Sequence, residues 1–422
     1  MARARMSLIK KALLCSGQGA QYVGMGRDLC ASEKVADDTF QEASDALGLD
    51  MRQLCFASTN AELARTENTQ PAILTHSMAQ FRVLMEREDL DVDLVAGHSL
   101  GEITALTIAG AIAFPDAVRL ARRRGQYMQQ AVPEGRGLML AIRTRDHAEI
   151  AALCATVAEE THEVVSVSNL NSNTQIVVAG HRAAVLRVHE IAEERGLRAV
   201  ILNVSVPFHC ALMEPVAAAL REDLAGIAIA EPRIPVLSNV TGRPYGSAAE
   251  VPDLLARQVV EPVRWVDDLT YLRMNGFNYA VELGPGDTLA KFSRHTYSEI
   301  RTFPYDREQG RTDLHRMIER TTFPFVSRAL GVAAATRNTN FDAEAYDTGV
   351  VKPYHRLRRM NTALGREERA ATTEEMREAM DLLLTILRTK GVRPEERRVR
   401  VEELLRDTRT ADVFAALDPS GP

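Results

Sequence analysis

Short apolar runs punctuated by glycine set the texture of the first three hundred positions. ALLCS (12–16) reads as a buried strand that gives way at once to Gly17 and Gln18. DVDLVAG (91–97) is a second such run and opens directly into a largely apolar helix, LGEITALTIAGAIA. Residues 33–56 and 61–88 have helical texture. Apolar runs that end in glycine and lead into helices are the marks of a parallel α/β sheet.

Between 136 and 205 the order changes. GLMLAI is a strand, 146–160 a helix, EVVSVSNL and TQIVVAG two strands, 182–196 a helix and RAVILNVSV a strand. That βαββαβ order is the split unit of ferredoxin-like domains. It lies between two parts of the larger sheet, so it reads as an inserted subdomain. After Pro207 helices and strands alternate again, and PVLSNV and YAVELG are the last clear strands. The expected fold is α/β: a large domain from 8–135 and 206–305, a small subdomain at 136–205, a linker at 306–350 and a helical extension at 351–422. In the extension, 371–390 forms an amphipathic helix with a threonine cap region, stopped by Gly391 and Pro394, and 394–407 a second, highly charged one. No internal repeat is present.

Composition narrows the function. The 422 residues are 45% hydrophobic, enough for a large core and two or three domains, and the net charge is -6. An acidic balance argues against nucleic-acid binding. Five scattered cysteines without CxxC spacing suit a reduced, cytoplasmic enzyme and give no zinc site or disulfide frame. The N-terminal MARARMSLIKKALLCS has too short an apolar run for a signal peptide, and no uncharged stretch is long enough to span a membrane.

Candidate chemistry centres on GHSLG (97–101), where a strand leads into Ser99 and a helix leads out. Glycines two residues either side permit a sharp, strained turn with close neighbouring chain, and the amide of Leu100 can bind a developing oxyanion. The competing reading is an ordinary strand-to-helix turn. SGQGAQ (16–21) also follows a strand and offers the amide of Gln18 as a second donor. A dinucleotide loop would need glycine where Tyr22 stands, and no P-loop Gly-Lys-Ser/Thr occurs. Of ten histidines, His209 stands out because it follows a strand, at the rim where open α/β sheets carry catalytic groups. His98 neighbours the serine but should point away.

The helix PDAVRLARRRGQYMQQAV (115–132) carries four arginines. Ala117, Leu120, Ala121, Met128 and Ala131 lie three, four or seven residues from Arg124, which puts Arg124 inside the apolar stripe. A buried guanidinium needs an anion, which is either a protein carboxylate or a substrate carboxylate.

Taken together, GQGAQ (17–21), QPAI (70–73), GHSLGE (97–102), RRGQYMQQAVPEG (123–135), VSNLNSNTQIVVAG (167–180), VPFHCALMEPV (206–216), PVRW (262–265) and ELGPGDTL (282–289) resemble the malonyl-CoA:acyl-carrier-protein transacylase family, polyketide synthase acyltransferases included. The resemblance covers roughly residues 8–305. It implies an α/β-hydrolase-like large domain with a ferredoxin-like insert. It implies Ser99 as nucleophile, His209 as general base, the amides of Gln18 and Leu100 as oxyanion hole, and Arg124 as partner of the malonyl carboxylate. By the same resemblance Gln258 orients the histidine through its backbone carbonyl, and Phe208 and Met128 bear on acyl selectivity. Phe208, directly before the histidine, is as in polyketide-type domains that select malonyl, since a ring there fills the space of an α-methyl group. Glu261 stands where the family often has asparagine.

The implied substrates are malonyl-CoA and the phosphopantetheine arm of an acyl carrier protein. No bound cofactor, metal, nucleic acid or membrane is expected, and the chain is expected to act as a monomer. A hydrolase using the same Ser-His pair, or a transferase for methylmalonyl, are the alternatives. The service is to fatty-acid synthesis or, as Phe208 and the long tail suggest, to a polyketide assembly line in trans. Basic segments of the tail, HRLRRM (355–360) and EERRVRV (395–401), read as ordinary helix surface charge, with docking of an acidic carrier as the competing reading.

Overall fold

A computed structural model describes residues 10–88, 90–133, 135–202, 204 and 206–415. The chain divides into two compact units, Met1–Leu314 and His315–Pro422. The first unit is mixed α/β. Among the described residues its ten strands are β1 (Lys10–Cys15), β2 (Leu94–Gly97), β3 (Gly137–Arg143), β4 (Val165–Ser172), β5 (Gln175–His181), β6 (Arg198–Ile201), β7 (Leu237–Ser238), β8 (Arg243–Pro244), β9 (Phe277–Leu283) and β10 (Arg301–Pro304).

One sheet is parallel, in the order β10-β9-β1-β2. Ala12 to Cys15 and Leu94 to Gly97 are all buried, as the continuous apolar runs of a doubly covered parallel sheet require. Its core gathers Leu14, Ala96, Trp265, Leu269 and Phe277. The second sheet is antiparallel, β4-β5-β3-β6, with the helices His147–Thr161 and Arg182–Glu194 packed on Leu140, Ile142, Ile176 and Val178. β7 and β8 form a short ribbon, and PVLSNV, expected as a full strand, is a strand over Leu237–Ser238, with Val236 bridging Val95 of β2. β10 lies beyond the last strand expected from sequence.

The turn after β2 depends on contacts that admit no side chain. Cys15 is paired with Gly97, and the amide of His98 donates to the Cys15 carbonyl at 3.0 Å. A Cβ on Gly97 would overlap the Gly101 carbonyl, and one on Gly101 would overlap the carbonyl of Cys15. The helix Leu100–Ile108 can therefore start directly against β1. Gly125 does the same for the helix Phe114–Ala131: its missing Cβ would sit 2.5 Å from the Thr66 carbonyl, at the start of the helix Thr66–Glu88.

The expected linker is helical instead, and most of it lies in the second unit. Residues 306–350 hold the helices Glu308–Thr321, Phe325–Ala335 and Ala343–Tyr346 and a π turn at Asp347–Val351. Phe325, Val326, Ala329, Val332 and Ala333 recur at helical spacing and share a core with Leu357, Met380, Leu383, Leu387 and Leu404. The helices Lys352–Arg366, Thr373–Thr389 and Pro394–Thr408 supply those partners. Thr372 and Glu375 form a reciprocal capping box at the start of the second of them. The buried Lys390 ammonium donates to the carbonyls of Ala333 and Thr336, both at 2.8 Å, closing the end of Phe325–Ala335.

Substituting Gly101→Ala forces the helix Leu100–Ile108 off β1. Overpacking of this kind should lower unfolding stability by about 2 kcal/mol, read as a fall in urea midpoint against wild type. An unchanged midpoint would show that the turn tolerates a side chain.

Candidate active site

Ser99 caps the helix Leu100–Ile108 with φ 54° and ψ −107°, a conformation that L-residues other than glycine rarely hold. His209, in the bend before the 3-10 turn Ala211–Met213 and the helix Glu214–Ala225, also has positive φ, at 59°. The two strained residues face each other, with Ser99 Oγ 2.8 Å from His209 Nε2. On the other side of the ring, His209 Nδ1 lies 2.7 Å from the carbonyl of Gln258. A carbonyl only accepts, so Nδ1 carries the proton and Nε2 accepts from the serine hydroxyl. Gln258 ends the helix Val251–Gln258, where carbonyls lack intrahelical donors, so its oxygen is free for this contact.

Arg124 is 2% exposed, as its helical phase predicts. Its Nη2 donates to Ser99 Oγ at 3.1 Å and to Gln258 Oε1 at 2.9 Å, and Nη1 donates to Gln70 Oε1 at 2.9 Å. Among the described residues no carboxylate lies within ion-pair distance of it, so an internal salt bridge does not account for its burial. Burial pulls its pKa down to about 10, against the opposing charge of Glu102, and leaves it cationic at neutral pH. Burial, with the Arg124 charge next, pushes the His209 imidazole down to about 3.

Gln258 joins these groups. Its Nε2 donates to the Ser99 carbonyl at 2.9 Å and to Glu102 Oε2 at 2.6 Å. Asn239 holds the other side of the turn: its Oδ1 accepts the Ser99 amide at 2.8 Å, and its Nδ2 donates to the Gly97 carbonyl at 2.8 Å and to Asp268 Oδ2 at 2.9 Å. Gln70 Nε2 donates to the Met128 sulfur at 3.3 Å, which brings Met128 to the Arg124 end of the site. Gln70, Glu102 and Asn239 were not singled out from the sequence. The first two lie inside quoted motifs, and Asn239 inside the short segment PVLSNV.

The other candidates are positioned as follows. Leu100 opens the helix after Ser99, so its amide has no intrahelical acceptor. The loop holding Gln18 passes beside the turn, since a Cβ on Gly17 would overlap the His98 carbonyl. Gln18 Nε2 reaches Thr66 Oγ1 at 3.2 Å. Phe208 is buried next to His209. His98 turns away from Ser99, its Nε2 meeting Asn171 Oδ1 at 2.8 Å. Glu261 pairs with Arg257 one turn earlier, at 2.7 Å. Among the described residues no cluster of three or more His, Cys, Asp or Glu is arranged to hold a metal, and no helix is long and apolar enough to cross a membrane.

Comparison with known proteins bears on this constellation. A family model described as acyl transferase domain matches residues 12–332. A malonyl CoA-acyl carrier protein transacylase of Escherichia coli K12 is 44% identical over 284 residues, covering 67% of this chain and 91% of that protein. One of the same name from Bacillus subtilis is 33% identical over 388 residues, covering 90% of this chain and 96% of the relative. The solved transacylase of Coxiella burnetii superposes with a TM-score of 0.72 at 38% identity, over 75% of this chain and 98% of its own. A malonyl-transacylase solved in complex with a type II polyketide synthase acyl-carrier protein matches with a TM-score of 0.70 at 39% identity, over 73% of this chain and 99% of that one. The similarity therefore does not stop near 305, where the motifs end. The family match enters the second unit and the Bacillus subtilis relative spans most of it.

A buried neutral histidine leaves an acid signature. In the folded site His209 stays unprotonated down to about pH 3, whereas in the unfolded chain it takes up a proton near its ordinary 6.5. Its contribution to stability is thus present above 6.5 and lost as pH falls below it. Between pH 7.5 and 5.5 wild type should lose about 1.4 kcal/mol more unfolding stability than His209→Gln. Denaturant titrations at the two pH values measure the difference, and equal losses would mean that His209 is not held neutral.

Proposed function

The chain belongs to the acyl transferase domain family, and on that premise we propose that it is an acyl-carrier-protein S-malonyltransferase, carrying a malonyl group from CoA to the phosphopantetheine thiol of an acyl carrier protein. One observation carries the reading: Arg124, buried without a carboxylate partner among the described residues, donates to the same oxygen that His209 faces. A guanidinium at that point suits an acyl group that ends in a carboxylate. The names of the relatives from Escherichia coli and Bacillus subtilis, and the solved complex with an acyl-carrier protein, support the donor and the acceptor.

Ser99 is the nucleophile and His209 the base. His209 Nε2 takes the hydroxyl proton as Ser99 Oγ attacks the thioester carbonyl carbon, with Nδ1–H held on the Gln258 carbonyl. The amides of Gln18 and Leu100 receive the negative charge that develops on the carbonyl oxygen. The carbon–sulfur bond breaks, and the CoA sulfur leaves with the proton from His209. The carrier's thiol then gives its proton to His209 and attacks the malonyl-serine ester. The carbon–oxygen bond breaks and Ser99 recovers its hydroxyl. The Arg124 charge lowers the basicity of His209 in the free site. A malonyl carboxylate on Arg124 offsets that charge, so the base strengthens when substrate is in place.

Phe208 and Met128 set the selectivity, the ring of Phe208 filling the volume that an α-methyl group would need. The parallel sheet, which draws strands from both sides of residues 136–205, supports an α/β-hydrolase-like large domain. The order β4-β5-β3-β6 with two helices supports a ferredoxin-like insert. The five cysteines are unpaired, which supports a cytoplasmic location.

Ser99→Ala should abolish the malonyl mass adduct formed on incubation with malonyl-CoA; an adduct that persists overturns the nucleophile. Arg124→Ala should cut malonyl loading by about a hundredfold while leaving acetyl loading within a few-fold. Equal losses for both acyl groups would remove the carboxylate role. Phe208→Ala should raise methylmalonyl loading relative to malonyl by about tenfold in the same assay, and an unchanged ratio would remove Phe208 from selectivity.

A further inference from the structure

Two carboxyl groups lie behind the nucleophile, fully buried and unused in the steps above: Glu102 and Asp268. Their surroundings differ. Glu102 accepts from the Tyr245 hydroxyl on Oε1, and from the Gln258 side chain and the Asn239 amide (3.1 Å) on Oε2. Asp268 has one donor, Asn239 Nδ2, and its Oδ1 has none among the described residues. Those three donors and the Ser238 hydroxyl, against one on Asp268, make Glu102 the group that carries the negative charge and Asp268 the one that keeps its proton. Burial first, and then the charge of Glu102, raises Asp268 well above the carboxylate range. Burial raises Glu102 only to about 7, with the donors from Tyr245, Gln258 and Asn239 pulling it back. The groups of ionisable type that bear on Glu102 are therefore Tyr245, which donates to it, Asp268, which is neutral, and Arg124.

The Gln258 amide spans the gap between Glu102 and Arg124, its nitrogen on Glu102 at 2.6 Å and its oxygen on Arg124 at 2.9 Å. Resting on the transferase reading above, we propose that Glu102 is a positioning residue that acts through Gln258 as the resident counter-charge of Arg124, limiting the grip on the acyl carboxylate so that the malonyl group can leave to the carrier. A cation with no anion near it would hold malonyl too tightly in the acyl-enzyme. It would also act undiminished on His209. Ground-state grip of that kind lowers KM and slows turnover together. Loss of packing does the reverse to KM.

The test uses the full-length chain at pH 8, where a carboxyl titrating near 7 is ionised. Glu102→Gln keeps the volume and an oxygen for the Gln258 and Asn239 donors, and removes the charge. Its KM for malonyl-CoA and its kcat for transfer to carrier should both fall, by about five- to tenfold. In a Ser99→Ala background, which binds without reacting, the same change should tighten malonyl-CoA binding and leave acetyl-CoA binding unchanged. A raised KM with a lowered kcat, or malonyl-CoA affinity unchanged in the Ser99→Ala background, overturns the proposal. Arg124→Ala in that background separates the two levels. It should weaken malonyl-CoA binding; if it does not, the carboxylate reading falls and this proposal with it. If Glu102→Gln does not fold, Tyr245→Phe carries the test. Loss of its hydroxyl favours the protonated carboxyl and should lower KM and kcat in the same direction, by about twofold, and a raised KM there would equally overturn the proposal.

Discussion

A guanidinium buried with no carboxylate among the described residues in ion-pair contact is the constraint from which the site's arrangement follows. Taking a cation out of water costs several kcal/mol even after relaxation. Arg124 meets that cost with neutral oxygens from three separate elements: Gln70 on the helix Thr66–Glu88, Ser99 at the turn after β2, and Gln258 at the end of its own helix. Each is an acceptor oriented by another contact. Gln70 has its amide nitrogen on the Met128 sulfur, and Gln258 has its own on Ser99 and Glu102. The amides can turn their oxygens to the cation because their nitrogens are already occupied. A site wired this way is cationic but not saturated, which is the state an incoming carboxylate requires.

Much of this is visible in the linear chain, and the reason is periodicity. β1 and β2 are continuous apolar runs because both faces of the parallel sheet are covered, and they run into glycines because chain passes close there: the helix Leu100–Ile108 at Gly97 and the His98 carbonyl at Gly17. Arg124 shows itself because a 3.6-residue repeat puts it among alanines and leucines. Ser99 shows itself because a strand end of an open sheet exposes functional groups, whereas the strand before His209, β6, belongs to the antiparallel sheet and ends at Ile201. What the chain conceals is whatever depends on residues far apart in sequence. Glu102 and Asn239 come together across 137 positions and Gln258 and Ser99 across 159. No local pattern in the segments around them announces a common hydrogen-bond network or a bridging amide.

The helices of 306–350 are hidden in the linear chain for a different reason. Residues 336–349 are polar and conspicuous, and the apolar stretch before them, FVSRALGVAAA (325–335), is short and rich in alanine. Ala329, Val332 and Ala333 carry helical spacing, yet alanine and valine weigh little against the neighbouring arginines and threonines. The face they form finds its core only against residues 350–414. Amphipathic helices of this kind draw most of their stability from packing and little from propensity, so composition alone reads them as linker. The Bacillus subtilis relative, aligned over 90% of the chain, is consistent with this segment being an integral folded part.

The strained pair at the centre shows why the nucleophile cannot be understood from its motif alone. Ser99 and His209 both hold positive φ, at a cost of order 1–3 kcal/mol each. Glycines around Ser99 remove clashes, but they do not hold the pair in place; hydrogen bonds do, two on Ser99 and one on His209. Asn239 Oδ1 accepts from the Ser99 amide, Gln258 Nε2 donates to the Ser99 carbonyl, and the Gln258 carbonyl accepts from His209 Nδ1. Gln258 therefore acts on both members of the pair, fixing the backbone of one and the tautomer of the other. If that helix end shifted by one residue, a different carbonyl and a different side chain would face the site. The serine would keep its glycines and lose its geometry. The 2.8 Å contact between Oγ and Nε2 is thus a property of where the helix Val251–Gln258 ends, as much as of the turn in which the serine lies.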